Sequence, residues 1–153
     1  MHTFEKIIAL LDTHHMQYTA LEHEPTPTSA DSARIRKTPL SEGAKAMVLR
    51  SSGRFFMCVL SADKKIDFSK VKKILQTKSV SLATPEEVKD ITGCVIGGVP
   101  PFGNLFHIPL YIDRSVLRSA KINFNAGLQT KSILMQTTDY LNVVDGQLDD
   151  FSL

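Results

Sequence analysis

Two β-rich runs, residues 44–50 and 54–60, are separated only by Ser51-Ser52-Gly53. A gap this short and this rich in turn residues makes a hairpin, because a parallel pair needs a crossover of a dozen residues or more. Further β-rich runs follow at 110–113, 121–125 and 131–136, the last two joined through Asn125-Ala126-Gly127. Short strands are also expected at 18–22 and 79–83. Helical spacing appears between them. Phe4, Ile7, Ile8 and Leu11 share one face behind Thr3 as a cap, and Phe68, Val71, Ile74 and Leu75 share another. Thr28 with Asp31 three residues on opens a helix after the stiff turn Pro25-Thr26-Pro27-Thr28. Thr84-Pro85-Glu86-Glu87 is a capping box with proline at the first helical position, closed by Gly93 as a left-handed cap. A last short helix is expected at 138–143. Hairpins outnumber βαβ units, so the fold class is α+β.

The chain has 153 residues, 42% hydrophobic and 22% charged, which suits one compact domain spanning residues 1–153. No apolar run approaches the roughly 20 residues of a membrane span. No secretory signal is visible, since Met1 leads almost directly into the amphipathic helix with Glu5 and Lys6. Cys58 and Cys94 form neither a disulfide framework nor a CxxC pair. The expected setting is cytoplasmic, with no membrane partner.

A net charge of +2 is too mild to demand a nucleic-acid partner. Its distribution is uneven: residues 1–80 carry 13 Lys/Arg against 8 Asp/Glu, whereas residues 81–153 carry 5 against 8. Much of the excess lies in Lys64, Lys65, Lys70, Lys72, Lys73 and Lys78, opposed only by Asp67. This is either a solvated helix face or a surface for backbone phosphates.

The motifs of several common machines are missing. The sequence has no GxSxG elbow, HExxH pair, phosphate loop or dinucleotide turn. Its five histidines are scattered, and neither cysteine has an evident base nearby, so no metal ligand set or side-chain nucleophile is assigned. Two features stand out instead. Lys45 shares a strand face with Met47 and Leu49, while Ala46 and Val48 lie on the other face. Either face suits a core. Lys45 is then a pocket cation that needs an anionic partner, or a strand-end lysine reaching for water. The second feature is Gly97-Gly98-Val99-Pro100-Pro101-Phe102-Gly103. Its glycines admit close backbone approach and its prolines stiffen the chain, which suits an oxyanion or ligand carbonyl and equally a long turn.

Lys45 within Ala44–Leu49 and the GxxxP loop from Gly97 to Pro101 occur in an order that resembles the YbaK/prolyl-tRNA-synthetase-associated editing domain family. The Tyr18–Pro25 stretch, Tyr111-Ile112-Asp113 and Phe124-Asn125-Ala126-Gly127 extend the resemblance over nearly the whole chain. It implies a curled mixed β-sheet flanked by helices, and a free-standing aminoacyl-tRNA deacylase acting on mischarged tRNA-Pro or a related tRNA. It also implies that the terminal ribose 2′-hydroxyl helps to activate water, with no metal or cofactor. By the same resemblance Lys45 engages the terminal adenosine and its phosphate, and backbone N–H groups from Gly97 and Gly98 up to Pro101 hold the aminoacyl carbonyl. The expected substrate wall comprises Tyr18, Thr26, Thr28, Ala46, Val99, Pro100, Pro101, Asn125, Gly127 and Ser132. Lys70, Lys72 and Lys73 are candidates for tRNA backbone contact, and an aminoacyl-tRNA synthetase is a candidate second partner. Ala46 and Ser132 depart from the family's more polar side chains. The amino acid removed therefore stays open among alanine, cysteine, serine and threonine. A non-catalytic module that binds tRNA or nucleotides is the alternative.

Overall fold

The computed structural model describes residues 2–26 and 28–153, so the turn expected at 25–28 is described without Pro27. Among the described residues five α-helices and eight strands follow in the order α1 (Thr3–Thr13), β1 (Tyr18–Glu22), α2 (Ser29–Arg36), β2 (Ala44–Ser51), β3 (Arg54–Ser61), α3 (Phe68–Leu75), β4 (Ser81–Leu82), α4 (Pro85–Thr92), β5 (Leu110–Asp113), β6 (Lys121–Asn125), β7 (Lys131–Gln136), α5 (Thr137–Val143) and β8 (Gln147–Asp149). The α+β class holds. The β-structure divides into an antiparallel sheet ordered β1-β7-β6 and a mixed five-stranded sheet ordered β4-β2-β3-β5-β8. A bridge between Gly43 and Asn123 joins them.

The β2–β3 hairpin runs in register from Ala44 opposite Ser61 to Ser51 opposite Arg54. Ser52 and Gly53 both take positive φ, the two-residue turn whose twist matches the flanking strands. Both faces of this hairpin are covered, which answers the question left open for Lys45. Ala44, Val48, Met57 and Val59 meet Ile7, Leu11, Phe102, Phe124 and Tyr140 in the main core. Leu49, Phe56, Cys58 and Leu60 meet Val71 of α3 and Phe151 in a second. Cys58 is a core residue, and burial pushes its thiol up to about 12.

The box at Thr84 forms as expected, with reciprocal bonds between Thr84 and Glu87, Pro85 at the first position and Gly93 in the left-handed region. Thr28 caps α2 by accepting from the Asp31 N–H. Thr3 does not cap α1. His2 occupies that position with no side-chain bond, and Thr3 Oγ1 donates instead to the Thr92 carbonyl.

Strand β8 continues the larger sheet in parallel with β5, and a buried carboxylate fixes the chain beyond it. Asp113 accepts from the N–H groups of Ser115, Phe151 and Ser152 at 3.0, 2.8 and 3.1 Å. Burial alone raises its pKa, but these bonds outweigh that and hold it below the usual value. A carboxylate lowered in this way stabilises the fold above its unfolded pKa, and the gain is lost as pH falls through the folded one. Asp113→Asn will cost about 2–3 kcal/mol at pH 7, because its amide turns a donor toward N–H donors. Urea melts will show the gap between the two proteins narrowing as pH falls below the ordinary value of 3.8.

Candidate functional site

A cleft of about 100 Å³ opens where the start of β2, the end of β6, helix α2 and the glycine loop converge. Thr26, Thr28, Lys45, Ala46, Gly97, Val99 and Asn125 all line it, so seven of the residues expected from sequence come together. Ser32, Arg36, Gly43 and Asn123 line it as well and carried no signal of function in the sequence reading. No acidic residue lines it among the described residues.

Lys45 donates through Nζ to the Lys64 carbonyl and forms no ion pair with any described residue. Burial lowers its pKa, the charge of Asp63 offsets part of that, and Lys65 adds to it. Asp63 is already engaged, accepting from Arg118 at 2.8 Å and from the Ser61 hydroxyl. Lys45 is thus a cation held at the cleft without a carboxylate of its own.

The glycine loop is held by its carbonyls. Ile96 O accepts from Gln129 Nε2 at 3.0 Å, Gly97 O from Asn125 Nδ2, and Gly98 O from the Gly127 N–H at 2.8 Å. A trans peptide directs its N–H opposite to its carbonyl. With Ile96 O and Gly98 O turned to the 125–129 turn, the N–H groups of Gly97 and Val99 face away from it. Both residues line the cleft, and among the described residues neither N–H has an acceptor. The Gly98 N–H is consumed at 2.9 Å by Val95 O. Of the three N–H groups, those of Gly97 and Val99 are thus left without an acceptor among the described residues, and that of Gly98 is engaged within the loop.

Other expected wall residues lie elsewhere. Tyr18 sits on β1 opposite Met135, and its hydroxyl donates to Asp12 at 2.9 Å, well apart from the cleft. Pro100 and Pro101 are buried supports. Pro100 O accepts from the Phe102 N–H, and Pro101 O accepts at 2.6 Å from Tyr140, which packs edge-on against Phe102. Gly127 clamps the loop from behind. Its φ is +92°, and a Cβ there would come within 3.0 Å of Thr3 Cβ and 3.1 Å of Phe4 N. Gly127→Ala will cost about 2 kcal/mol and lower Tm by about 6 °C in a thermal melt. Lys70, Lys72 and Lys73 are not brought to the cleft either. Helix α3 packs on the second core, and Lys70 Nζ donates to the Ser152 carbonyl.

Ser132 is fully buried one layer behind the cleft, at the centre of a polar network. Arg36 Nε donates to Ser132 Oγ at 2.7 Å, and Ser132 Oγ lies 2.6 Å from His23 Nε2. The other ring nitrogen, Nδ1, meets the Glu24 carbonyl at 2.7 Å. Arg36 Nη1 donates to Asn123 Oδ1 at 2.6 Å and Nη2 to Asn125 Oδ1 at 2.7 Å. Burial lowers the guanidinium to about 10, and it remains a cation at neutral pH. A signal that could have found Asn123 is its spacing from Asn125, since amides two apart in a strand share a face and are poor strand formers.

Beyond Gly97 and Val99 the cleft adjoins an apolar recess walled by Met47, Val48, Leu82, Val88 and Ile96. No group of three metal-ligating side chains occurs among the described residues, and no described helix is long and apolar enough to cross a membrane. Cys94 is buried, with Sγ 3.4 Å from Thr92 O.

A family profile described as an aminoacyl-tRNA editing domain matches residues 23–143. The multifunctional Ser/Thr-tRNA deacylase ProXp-y of Escherichia coli (strain K12) is 35% identical over 97% of this chain and 92% of its own length. A proline–tRNA ligase of Bacillus licheniformis is 34% identical over 57% of this chain, which corresponds to 15% of the ligase. Among solved structures, the hypothetical protein APE2540 superposes with a TM-score of 0.88 at 25% identity, covering 97% of this chain and 99% of its own.

Proposed function

The chain belongs to the aminoacyl-tRNA editing domain family, and on that premise we propose that it hydrolyses, in trans, tRNA mischarged with serine or threonine. The observation that carries the reading is that the N–H groups of Gly97 and Val99, two residues of the cleft that Lys45 also lines, have no acceptor among the described residues. They suit a carbonyl oxygen that gains negative charge. Water adds to the ester carbon, Gly97 and Val99 donate to the resulting oxyanion, and the carbon–oxygen bond to the ribose breaks with a proton passing to the departing ribose oxygen. An aminoacyl ester is already activated, so positioning and oxyanion stabilisation suffice without a side-chain nucleophile. Among the described residues that line the cleft there is no histidine, cysteine or carboxylate to act as base. This fits a role for the terminal ribose 2′-hydroxyl in orienting the water.

Lys45 meets the anionic end of the substrate, the phosphate of the terminal nucleotide. The apolar recess next to Gly97 leaves room for its base. Similarity to ProXp-y supports serine and threonine among the four amino acids left open, and the polar set around Arg36 agrees with a hydroxylated side chain. tRNA is then the macromolecular partner, translation in the cytoplasm the setting, and delivery by a synthetase an extension of the same proposal.

Deacylation of Ser-, Thr-, Ala-, Cys- and Pro-charged tRNA tests it. Release of serine and threonine is the expected result. Silence across the panel with tRNA binding intact would overturn it in favour of a non-catalytic binding module.

A further inference from the structure

We propose that Arg36 is the specificity-determining residue of this site, a guanidinium that accepts only aminoacyl groups bearing a side-chain oxygen. The inference rests on the deacylase reading and assigns the chemistry of its amino-acid subsite. Arg36 closes helix α2 and lines the cleft beside Asn123 and Asn125. A guanidinium carries five N–H donors. Here three are used, by Ser132 Oγ, Asn123 Oδ1 and Asn125 Oδ1, all of them neutral acceptors. One N–H on each terminal nitrogen has no acceptor among the described residues.

This arrangement is costly when the cleft is closed by an apolar group. A desolvated cation with neutral partners keeps two donors unmet, and a substrate side chain that supplies no acceptor excludes the water that would meet them. A seryl or threonyl hydroxyl oxygen supplies the acceptor. An alanyl methyl does not, and a cysteinyl sulfur is a weak one. Selection of this kind discriminates far more strongly than pocket size, because the penalty falls on the protein's own buried donors. Ser132 fits the same logic. Its hydroxyl accepts from Arg36 Nε at 2.7 Å and fixes the guanidinium plane without neutralising it.

Arg36 has a second link, because Asn125 also donates to the Gly97 carbonyl. Loss of Arg36 therefore loosens the oxyanion loop for every substrate alike. Only the ratio between substrates isolates selection.

The test uses seryl- and alanyl-adenosine analogues with a stable amide in place of the ester, titrated by calorimetry into the wild-type protein and Arg36→Met. Wild type will bind the seryl analogue at least about tenfold more tightly, in the range of one hydrogen bond to a charged donor. Arg36→Met will bring the two affinities within about twofold. Arg36→Lys, which keeps the charge and the packing of the stem, serves if the methionine variant does not fold, and will reduce the preference. Equal binding by wild type, or a preference that survives both substitutions, overturns the assignment. Deacylation of the matching tRNAs run in parallel tests the underlying reading. A seryl preference without turnover sustains Arg36 as the selector and removes the catalytic function.

Discussion

Lys45→Ala will lower kcat/KM for deacylation by about 100-fold while leaving stability within about 1 kcal/mol of wild type. The two halves of this result follow from one geometry. Lys45 lines the cleft, and the only partner of its ammonium among the described residues is the Lys64 carbonyl, since Asp63 is bound to Arg118. Burial lowers its pKa, so the folded protein holds this charge against its own preference. Removing it therefore costs the fold little. An incoming phosphate loses a charge-assisted contact of about 2–3 kcal/mol, which is the expected factor in rate. Most of the loss will appear in KM, and the salt dependence of KM will become shallower. Lys45→Arg will not restore activity, because a planar guanidinium cannot replace a compact ammonium at a site formed by one carbonyl. The pH profile carries the sign of the same effect. Activity that depends on the cation is lost as pH rises through a pKa below the 10.5 of a free lysine. A Lys45→Ala protein with wild-type kinetics would remove Lys45 from the site.

The parts of this protein that sequence makes legible are those whose causes are local. The hairpin turn at Ser52-Gly53 and the box at Thr84 each rest on a few adjacent residues, and both form as expected. Strand β8 escaped notice because Gln147-Leu148-Asp149 has no β-branched residue and pairs only along the edge of β5. Thr3 has the chemistry of a cap, yet a carbonyl 89 residues away claims its hydroxyl. The same distinction divides the site. Lys45 and Gly97 are unusual residue types for their positions and could be singled out. Arg36 could not. In sequence it is one of two arginines in a polar helix, and its partners Asn123, Asn125 and Ser132 lie 87, 89 and 96 residues away. Lys70, Lys72 and Lys73 show the converse. Periodicity establishes that they face outward from α3, but which side of the molecule α3 covers is decided by its packing on Phe56, Leu60 and Phe151.

The orientation of the glycine loop is the hardest of these to read in sequence, and it yields the sharpest contrast between neighbouring substitutions. Gly97→Ala will lower kcat by about 100-fold with little change in KM, whereas Gly98→Ala will change it by less than about fivefold. Composition treats the two glycines alike; the peptide planes do not. Gly97 has φ of +89°, where an alanine Cβ is strained by about 1–2 kcal/mol. The strain is relieved by rotating the 96–97 peptide, which breaks the bond from Gln129 Nε2 to Ile96 O and carries the Gly97 N–H out of the cleft. Losing one donor to a developing oxyanion costs the transition state more than the bound ester, so the loss falls on kcat. Gly98 is different on each count. Its φ is not in the left-handed region, its N–H already serves Val95 O, and the nearest atoms to an added Cβ, on Leu128 and Val95, stand at 3.4 Å. Single-turnover deacylation of Ser-tRNA by the two variants reads the difference directly. Equal losses would mean that the loop acts through its overall shape, and a larger loss at Gly98 would return the oxyanion donor to the position that the resemblance first suggested.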